Sequence, residues 1–114
     1  MKAQMHFMAG LPRSGSTVLA AILNQNKDTH VSTTSGLLYA LDGLVTTRAA
    51  TPLKDDEMNH KVLTNTMLGV IEAFYEDVDS PVIIDKNRGW PLPEIMKAIS
   101  QVIGDKPKII ATVR

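Results

Sequence analysis

Short apolar runs alternate with longer stretches of helical periodicity along this 114-residue chain. Residues 5–9, 82–84 and 108–113 have the apolar content of short buried strands, and residues 82–84 are typical of a parallel strand buried on both faces. Residues 30–34 are rich in β-branched side chains and form a fourth strand candidate. Because helical segments separate these runs, we predict an α/β fold with a parallel sheet in three layers.

Apolar residues at helical spacing predict four helices: residues 16–26, a segment that follows Ser35, residues 55–77 and residues 92–103. Ser35 is a favourable N-cap residue for the second helix. Gly104 suits the C-terminal cap of the fourth helix, because glycine readily adopts left-handed geometry.

The first predicted helix should bury one stripe of apolar side chains, Val18, Leu19, Ile22 and Leu23. We expect it to stop at residues 24–26, because asparagine also tolerates left-handed geometry.

Composition agrees with a single globular domain. Hydrophobic residues make up 44% of the chain and charged residues 21%, which is enough apolar material for a core. Twelve basic residues balance twelve acidic ones, so we expect no general attraction to nucleic acid or to anionic membranes. Any anion-binding site must therefore depend on where individual charges are placed.

Several function classes are excluded by what the sequence lacks. It has no cysteine, which rules out disulfides, thiolate catalysis and cysteine-based zinc sites. The first eight residues are too polar and too short for a signal peptide, and no run of about 18 apolar residues could span a membrane. We expect a cytoplasmic chain. Because it stops at a predicted strand, we also expect residues 1–114 to be the N-terminal portion of one domain, incomplete at its C-terminus.

The most informative motif is Gly10–Thr17, with the sequence GLPRSGST. It lies between a predicted strand and a predicted helix, which is the setting of a phosphate-binding loop. Glycines allow the backbone to turn tightly, so that amide groups and a helix N-terminus point at one anion. The other interpretation is an ordinary strand–turn–helix junction in which glycine and proline only form the turn between the two elements.

The motif differs from the nucleoside triphosphate loop G-x-x-x-x-G-K-S/T at one position. Ser16 stands where that loop has a lysine, which normally reaches the terminal phosphates. A cation is instead present inside the loop, at Arg13. This exchange argues against ATP or GTP hydrolysis.

The stretch Pro12–Thr17 resembles the 5′-phosphosulfate loop of sulfotransferases, which reads Pro-(Lys or Arg)-Ser-Gly-(Thr or Ser)-Thr. The arginine form is similar to that of protein-tyrosine and bacterial sulfotransferases. The resemblance implies a P-loop-type sheet and an enzyme that transfers a sulfuryl group from 3′-phosphoadenosine 5′-phosphosulfate (PAPS) to a hydroxyl or amine. It also implies that no metal is needed.

The resemblance assigns roles to the residues of this loop. Arg13 would hold the phosphosulfate and stabilise charge during transfer. The remaining members of the cofactor cradle would be Gly10, Pro12, Ser14, Gly15, Ser16 and Thr17.

Two later positions fit the same resemblance. Many sulfotransferases have a lysine directly after a central strand, and Lys86 occupies that place; it would stabilise the charge of the departing phosphate. Arg114 follows the last predicted strand and would contact the 3′-phosphate, although the serine that accompanies it in the family would lie beyond residue 114. Taken alone, Lys86 could be a solvated strand-end lysine and Arg114 a solvated tail.

A general base is harder to assign. The family's histidine, two residues after the lysine, is replaced here by Arg88, and residues 31–39 contain no carboxylate where relatives of the arginine type place a glutamate. Asp42 and Asp85 are the nearest candidates, although each is expected to be a helix-surface or strand-end residue. Trp90 could line an acceptor or adenine pocket, or it could belong to the core or anchor its loop.

The three histidines, His6, His30 and His60, have no metal-ligand spacing and are expected to be ordinary strand, loop or helix residues. The six methionines are expected to fill the core.

Two other functions remain open from the sequence. One is a P-loop kinase or NTPase with a degenerate loop, in which Asp85 could serve as the acidic magnesium ligand. The other is a truncated, non-catalytic nucleotide-binding remnant or interaction module.

Overall fold

A computed structural model describes residues 2–10, 13–50, 60–104 and 107–113. Within these ranges the chain has four β-strands: β1 (Gln4–Gly10), β2 (Thr29–Thr34), β3 (Val82–Lys86) and β4 (Ile109–Thr112). The four helices of the same ranges are α1 (Ser16–Leu23), α2 (Leu37–Ala50), α3 (His60–Phe74) and α4 (Pro93–Ile103).

The four strands form one parallel sheet in the order β2-β3-β1-β4. β1 lies inside the sheet, with Phe7 opposite Asp85 of β3 and also opposite Ile109 of β4. Since all four strands run the same way, their carboxyl ends meet at one edge of the sheet. This confirms the predicted α/β fold with a parallel sheet.

Side chains along the inner strands point alternately to the two faces of the sheet, so the core has two parts. Phe7 and Ile83 point toward α2, α3 and α4, where they join a large buried cluster with Leu41, Ile71 and Ile99. The opposite face is covered by α1. A smaller cluster there contains Met8, Ala20, Val31 and Ile84. Helices therefore cover both faces, and the domain has the predicted three layers.

The buried stripe of α1 differs from the prediction. Val18 and Ile22 are 64% and 55% exposed, whereas Ala20 is buried and Leu19 and Leu23 pack against the smaller cluster. The preceding loop sets this rotation, because it brings Ser16 against the end of β1. Once residue 16 faces the sheet, helical spacing turns residues 19, 20 and 23 inward and residues 18 and 22 outward.

α1 ends where predicted, with Asn24 as its C-cap residue, but not by the predicted left-handed geometry. Asn24 has a right-handed backbone, with φ of −69°, so no left-handed asparagine ends the helix there. Its side chain acts instead: Nδ2 donates to the carbonyl of Val31 at 2.9 Å, and Oδ1 accepts from the amide of Val31 at 2.7 Å. Because β2 is an outer strand among those described, Asn24 satisfies backbone groups that the sheet leaves unpaired.

The remaining helix ends follow the sequence more closely. Ser35 Oγ accepts a hydrogen bond from the amide of Leu37 at 3.2 Å, which confirms its capping role at the start of α2. Gly104 has a φ of +77° and ends α4 as predicted. α3 stops at Phe74 rather than at residue 77, and the predicted start of that helix, residues 55–59, lies outside the described residues. Among the described helices, none has the length and apolar character that crossing a membrane requires.

Candidate functional site

A cleft of about 600 Å³ opens at the carboxyl edge of the sheet, above the ends of β1 and β3. In open α/β sheets this edge is where ligands usually bind. The residues that line the cleft are Gly10, Arg13, Ser14, Gly15, Ser16, Thr17, Val18, Thr34, Tyr39, Lys86, Asn87 and Arg88.

The loop of the cleft bends through two left-handed residues, Arg13 with φ of +61° and Gly15 with φ of +88°. Gly15 is also the N-cap of α1, and its carbonyl accepts from the amide of Leu19 at 3.0 Å. Glycine adopts this geometry without strain, but an arginine with positive φ is uncommon and costs about 1–2 kcal/mol. Strain of this kind is often retained where a loop must hold a defined shape around a ligand.

Gly10 is required because the chain passes close to its neighbours at the mouth of the loop. A Cβ atom added there would meet Ser16 Cβ at 2.6 Å and would also collide with Thr112 Oγ1. Only a residue without a side chain lets β1 turn directly into the loop at this point. Glycine at position 10 therefore lets the end of β1, the start of α1 and the end of β4 lie close together.

Hydroxyl groups connect the loop to two neighbouring strands. Ser14 Oγ lies 2.6 Å from Thr112 Oγ1 at the end of β4, and Lys86 Nζ donates to Thr17 Oγ1 at 3.2 Å. The structure thus brings the loop and the strand-end lysine together, as the sequence predicted for residues of one site. Of the hydroxyl residues predicted for the cradle, Ser14, Ser16 and Thr17 all line the cleft.

The charges that face the cleft all have the same sign. Arg13, Lys86 and Arg88 line it, and no carboxylate does so among the described residues. The whole chain has a formal net charge of +0, so this concentration of positive charge is local. An open cleft with three cations attracts anions and favours their retention.

Two predicted cofactor contacts, Pro12 and Arg114, lie outside the described residues. β4 ends at Thr112, beside the loop. The predicted 3′-phosphate contact of Arg114 therefore stays a prediction.

Asp85 lies near the carboxyl end of β3, as expected, but it is not exposed there. Its side chain is fully buried, on the face of the sheet opposite α1. Oδ2 accepts hydrogen bonds from Ser35 Oγ at 2.6 Å and from the Tyr75 hydroxyl, and Oδ1 accepts one from Trp90 Nε1 at 2.9 Å. Both carboxylate oxygens of Asp85 accept hydrogen bonds, and Asp85 does not line the cleft. It is therefore a structural residue rather than a general base.

The hydroxyl of Tyr75 remains a proton donor in this cluster. Burial raises the pKa of Tyr75 far above its ordinary value, and the charge of Asp85 and the hydrogen bond to it raise the pKa further. Desolvation and a neighbouring negative charge both disfavour the tyrosinate. The cluster therefore keeps three donors directed at one buried carboxylate.

Trp90 belongs to the core and not to the cleft. It is fully buried, and its ring lies 4.4 Å from that of Phe7, measured between centroids. The turn that precedes it is held by Asn87, whose Nδ2 donates to the carbonyl of Ser35 at 3.0 Å and whose Oδ1 accepts from the amide of Gly89 at 3.0 Å. These contacts fix the segment that presents Lys86 and Arg88 to the cleft.

The polar cluster was not predicted from the sequence, although one signal for it was present. A strand buried on both faces must bury every position, and Asp85 directly follows Ile84 in such a strand. A buried carboxylate needs donors, and Trp90, five residues further along the chain, is one of them. Ser35 is 50 residues away in the sequence and could not be identified in this way. The partner Tyr75, on the turn after α3, could not have been identified from sequence spacing.

The other candidate residues are dispersed. Asp42 is exposed on α2 and does not line the cleft. His6 Nδ1 accepts from the amide of Lys108 at 3.0 Å, and the ring of His30 lies 6.0 Å from that of Tyr75. Nothing is described for the side chain of His60. In the part of the chain that the structure describes, no group of three or more histidine, cysteine, aspartate or glutamate residues could hold a metal ion.

Comparison with known proteins adds no family. No protein-family model matches the sequence, and a search of curated proteins finds no significant match.

Proposed function

We propose that the cleft binds PAPS and that the protein acts as a sulfotransferase, delivering the sulfuryl group to an acceptor hydroxyl or amine. The proposal rests on one combination of features: a glycine loop with left-handed residues lies beside three cations, Arg13, Lys86 and Arg88. Among the described residues, no carboxylate lines the same cleft. PAPS, when bound, would supply an activated sulfuryl group together with an anionic leaving group. The cations that line the cleft would stabilise the negative charge of both the sulfuryl group and the leaving group.

The loop would hold the 5′-phosphosulfate. Gly10 allows the end of β1 to lie against Ser16 at the start of α1, because a side chain at position 10 would collide with Ser16. The N-terminus of α1 adds partial positive charge from its unpaired amides. Arg13 is the only cation within the loop, where a triphosphate-binding loop would have lysine at position 16.

Lys86 would act on the leaving group. Its Nζ atom lies 3.2 Å from Thr17 Oγ1, so it already reaches the first turn of α1, against which the phosphate would lie. During transfer the bridging oxygen gains negative charge, and a fixed cation at that point lowers the barrier.

The kinase alternative loses support from the buried state of Asp85. That alternative needs an acidic side chain near the phosphates to hold magnesium, and the carboxylate of Asp85 is directed into the core, where Ser35, Tyr75 and Trp90 surround it. A non-catalytic domain that only binds the nucleotide would have the same cleft, so measurement of transfer must accompany measurement of binding.

Nucleotide preference tests the proposal. Isothermal titration calorimetry of the whole chain should show that 3′-phosphoadenosine 5′-phosphate (PAP) binds at least about 10-fold more tightly than ATP with magnesium, because the loop lacks the lysine that a triphosphate requires. Lys86→Ala should weaken PAP binding about 10-fold, whereas Lys27→Ala, which removes an exposed lysine from the turn before β2, should not change it. Tighter binding of ATP would refute the proposal and favour the kinase alternative.

A further inference from the structure

The end of β4 contacts the loop Gly10–Thr17 through the side chain of Thr112. Its Oγ1 atom lies 2.6 Å from Ser14 Oγ, and this hydrogen bond joins residues 98 positions apart in the sequence. Ser14 lines the cleft, whereas Thr112 does not. An effect of Thr112 on a ligand in the cleft would therefore have to pass through Ser14 or its neighbours in the loop.

The position of the Thr112 hydroxyl is closely restrained. Thr112 is paired with Gly10 where β4 and β1 end, and a Cβ atom added at position 10 would collide with Thr112 Oγ1. A β-branched side chain also has few rotamers available to it. The hydroxyl is thus held in a defined place, beside the end of β1 and the side chain of Ser14.

The direction of the hydrogen bond between the two hydroxyls is open, because either oxygen can be the donor. When Thr112 donates to Ser14, the proton of Ser14 is left free to point into the cleft. A bound anion favours that direction, because it accepts hydrogen bonds from the residues around it. The hydrogen bond from Thr112 to Ser14 and the one from Ser14 to the anion then strengthen each other.

We propose that Thr112 is a positioning residue, whose hydroxyl holds Ser14 so that Ser14 donates a hydrogen bond to the 5′-phosphate of the nucleotide. This inference rests on the proposed function. The other hydroxyls of the cradle have different neighbours, since Thr17 Oγ1 accepts from Lys86 and Ser16 lies against Gly10. Loss of one hydroxyl outside the cleft should consequently weaken a nucleotide bound inside it.

Thr112→Val tests this inference, because valine keeps the shape of threonine and removes the hydroxyl. Calorimetric titration of the whole chain with PAP should show binding weakened about 10-fold, since one hydrogen bond to the anion loses its fixed donor. Thr112→Ser keeps the hydroxyl and should bind PAP within about three-fold of the parent chain. Equal losses in the two variants would overturn the inference, because shape and not the hydroxyl would then be responsible.

Thr29→Val is the matched control. Thr29 is also a strand threonine, but it lies at the amino end of β2, opposite the first residue of β3, and it does not line the cleft. This variant should leave the affinity for PAP unchanged. Thr112 is only partly buried, so its variants should remain folded, and circular dichroism at the temperature of the titration checks this.

A double-mutant cycle shows whether Thr112 acts through Ser14. Ser14→Ala alone should weaken PAP binding about 10-fold, and adding Thr112→Val should cause less than about a two-fold further loss. A further loss as large as that in the parent chain, or full affinity in Thr112→Val alone, would overturn the inference and leave the proposed function standing. Failure of PAP to bind the parent chain would instead defeat the proposed function, and this inference with it.

Discussion

Asp85→Ala should lower the free energy of unfolding by on the order of 3 kcal/mol or more. The substitution leaves the buried donors of Ser35, Tyr75 and Trp90 without their acceptor, and each unsatisfied buried donor costs about 1–3 kcal/mol. It also opens a cavity beneath the carboxyl end of β3. Because small domains are stable by only about 5–15 kcal/mol, this is a large fraction of the total. Thermal unfolding followed by circular dichroism should show a melting temperature reduced by roughly 15 °C.

Two further variants make this test specific. Asp79→Ala removes an exposed carboxylate from the connection between α3 and β3 and should change the melting temperature by less than about 2 °C. Tyr75→Phe removes one of the three donors but leaves the carboxylate two others, so its effect should be smaller than that of Asp85→Ala. If Asp85→Ala melted within 2 °C of the parent chain, the described polar cluster would be wrong.

Arg13→Ala should reduce the affinity for PAP by roughly 10- to 100-fold. A hydrogen bond from a charged donor contributes about 1.5–3 kcal/mol, and Arg13 is the only cation within the loop. The side chain is exposed, so the fold should not depend on it. Calorimetric titration with PAP at low and at moderate salt would measure the loss, which should be larger at low salt because screening is weaker.

Arg13→Gly separates the role of the side chain from that of the backbone. Arg13 has a φ of +61°, a geometry that glycine adopts without penalty, so this variant should lose the same affinity for PAP while its unfolding free energy rises by about 1 kcal/mol. Arg13→Lys keeps the charge but lacks the planar fork, and should bind with intermediate affinity. Retention of full affinity in Arg13→Gly would show that the guanidinium does not contact the nucleotide.

Position 13 is informative because Arg13→Gly should lower the affinity for PAP while it raises the free energy of unfolding. Backbone strain is often retained at ligand-binding sites, and Arg13 has a left-handed conformation beside the cationic cleft. Gly15, which has similar geometry, carries no such cost. The strain therefore lies at the residue whose side chain is proposed to bind, and not at the turn as a whole.

Sequence patterns located the strands and the loop because those features depend on local chemistry. The apolar run that ends at Lys86 and the motif that begins at Gly10 were both found at the carboxyl edge of the sheet. The rotation of α1 could not be predicted in the same way. That helix has only eight residues and carries apolar side chains on several sides, so the loop geometry, and not hydrophobic periodicity, decides that Ala20 is buried and Val18 is not.

The candidate site was predictable only in part. Local sequence identified Arg13 and Lys86, since each belongs to a short motif. By contrast, the place of Tyr39 in the lining of the cleft depends on how α2 packs beside the turn after β3, which is a tertiary contact between segments about 50 residues apart. Spacing along the chain contains no information about such a contact, and Asp42, named from the sequence as one of two general-base candidates, does not line the cleft.

The proposed function requires that the backbone amides of the loop Gly10–Thr17 converge on a sulfated nucleotide. Backbone amide NMR signals measured during titration of the whole chain with PAP test it most directly. We expect saturable shifts concentrated at Ser14, Gly15, Ser16 and Thr17, with smaller shifts at Lys86. Saturable binding that leaves these amides unmoved, or shifts confined to another part of the chain, would contradict it.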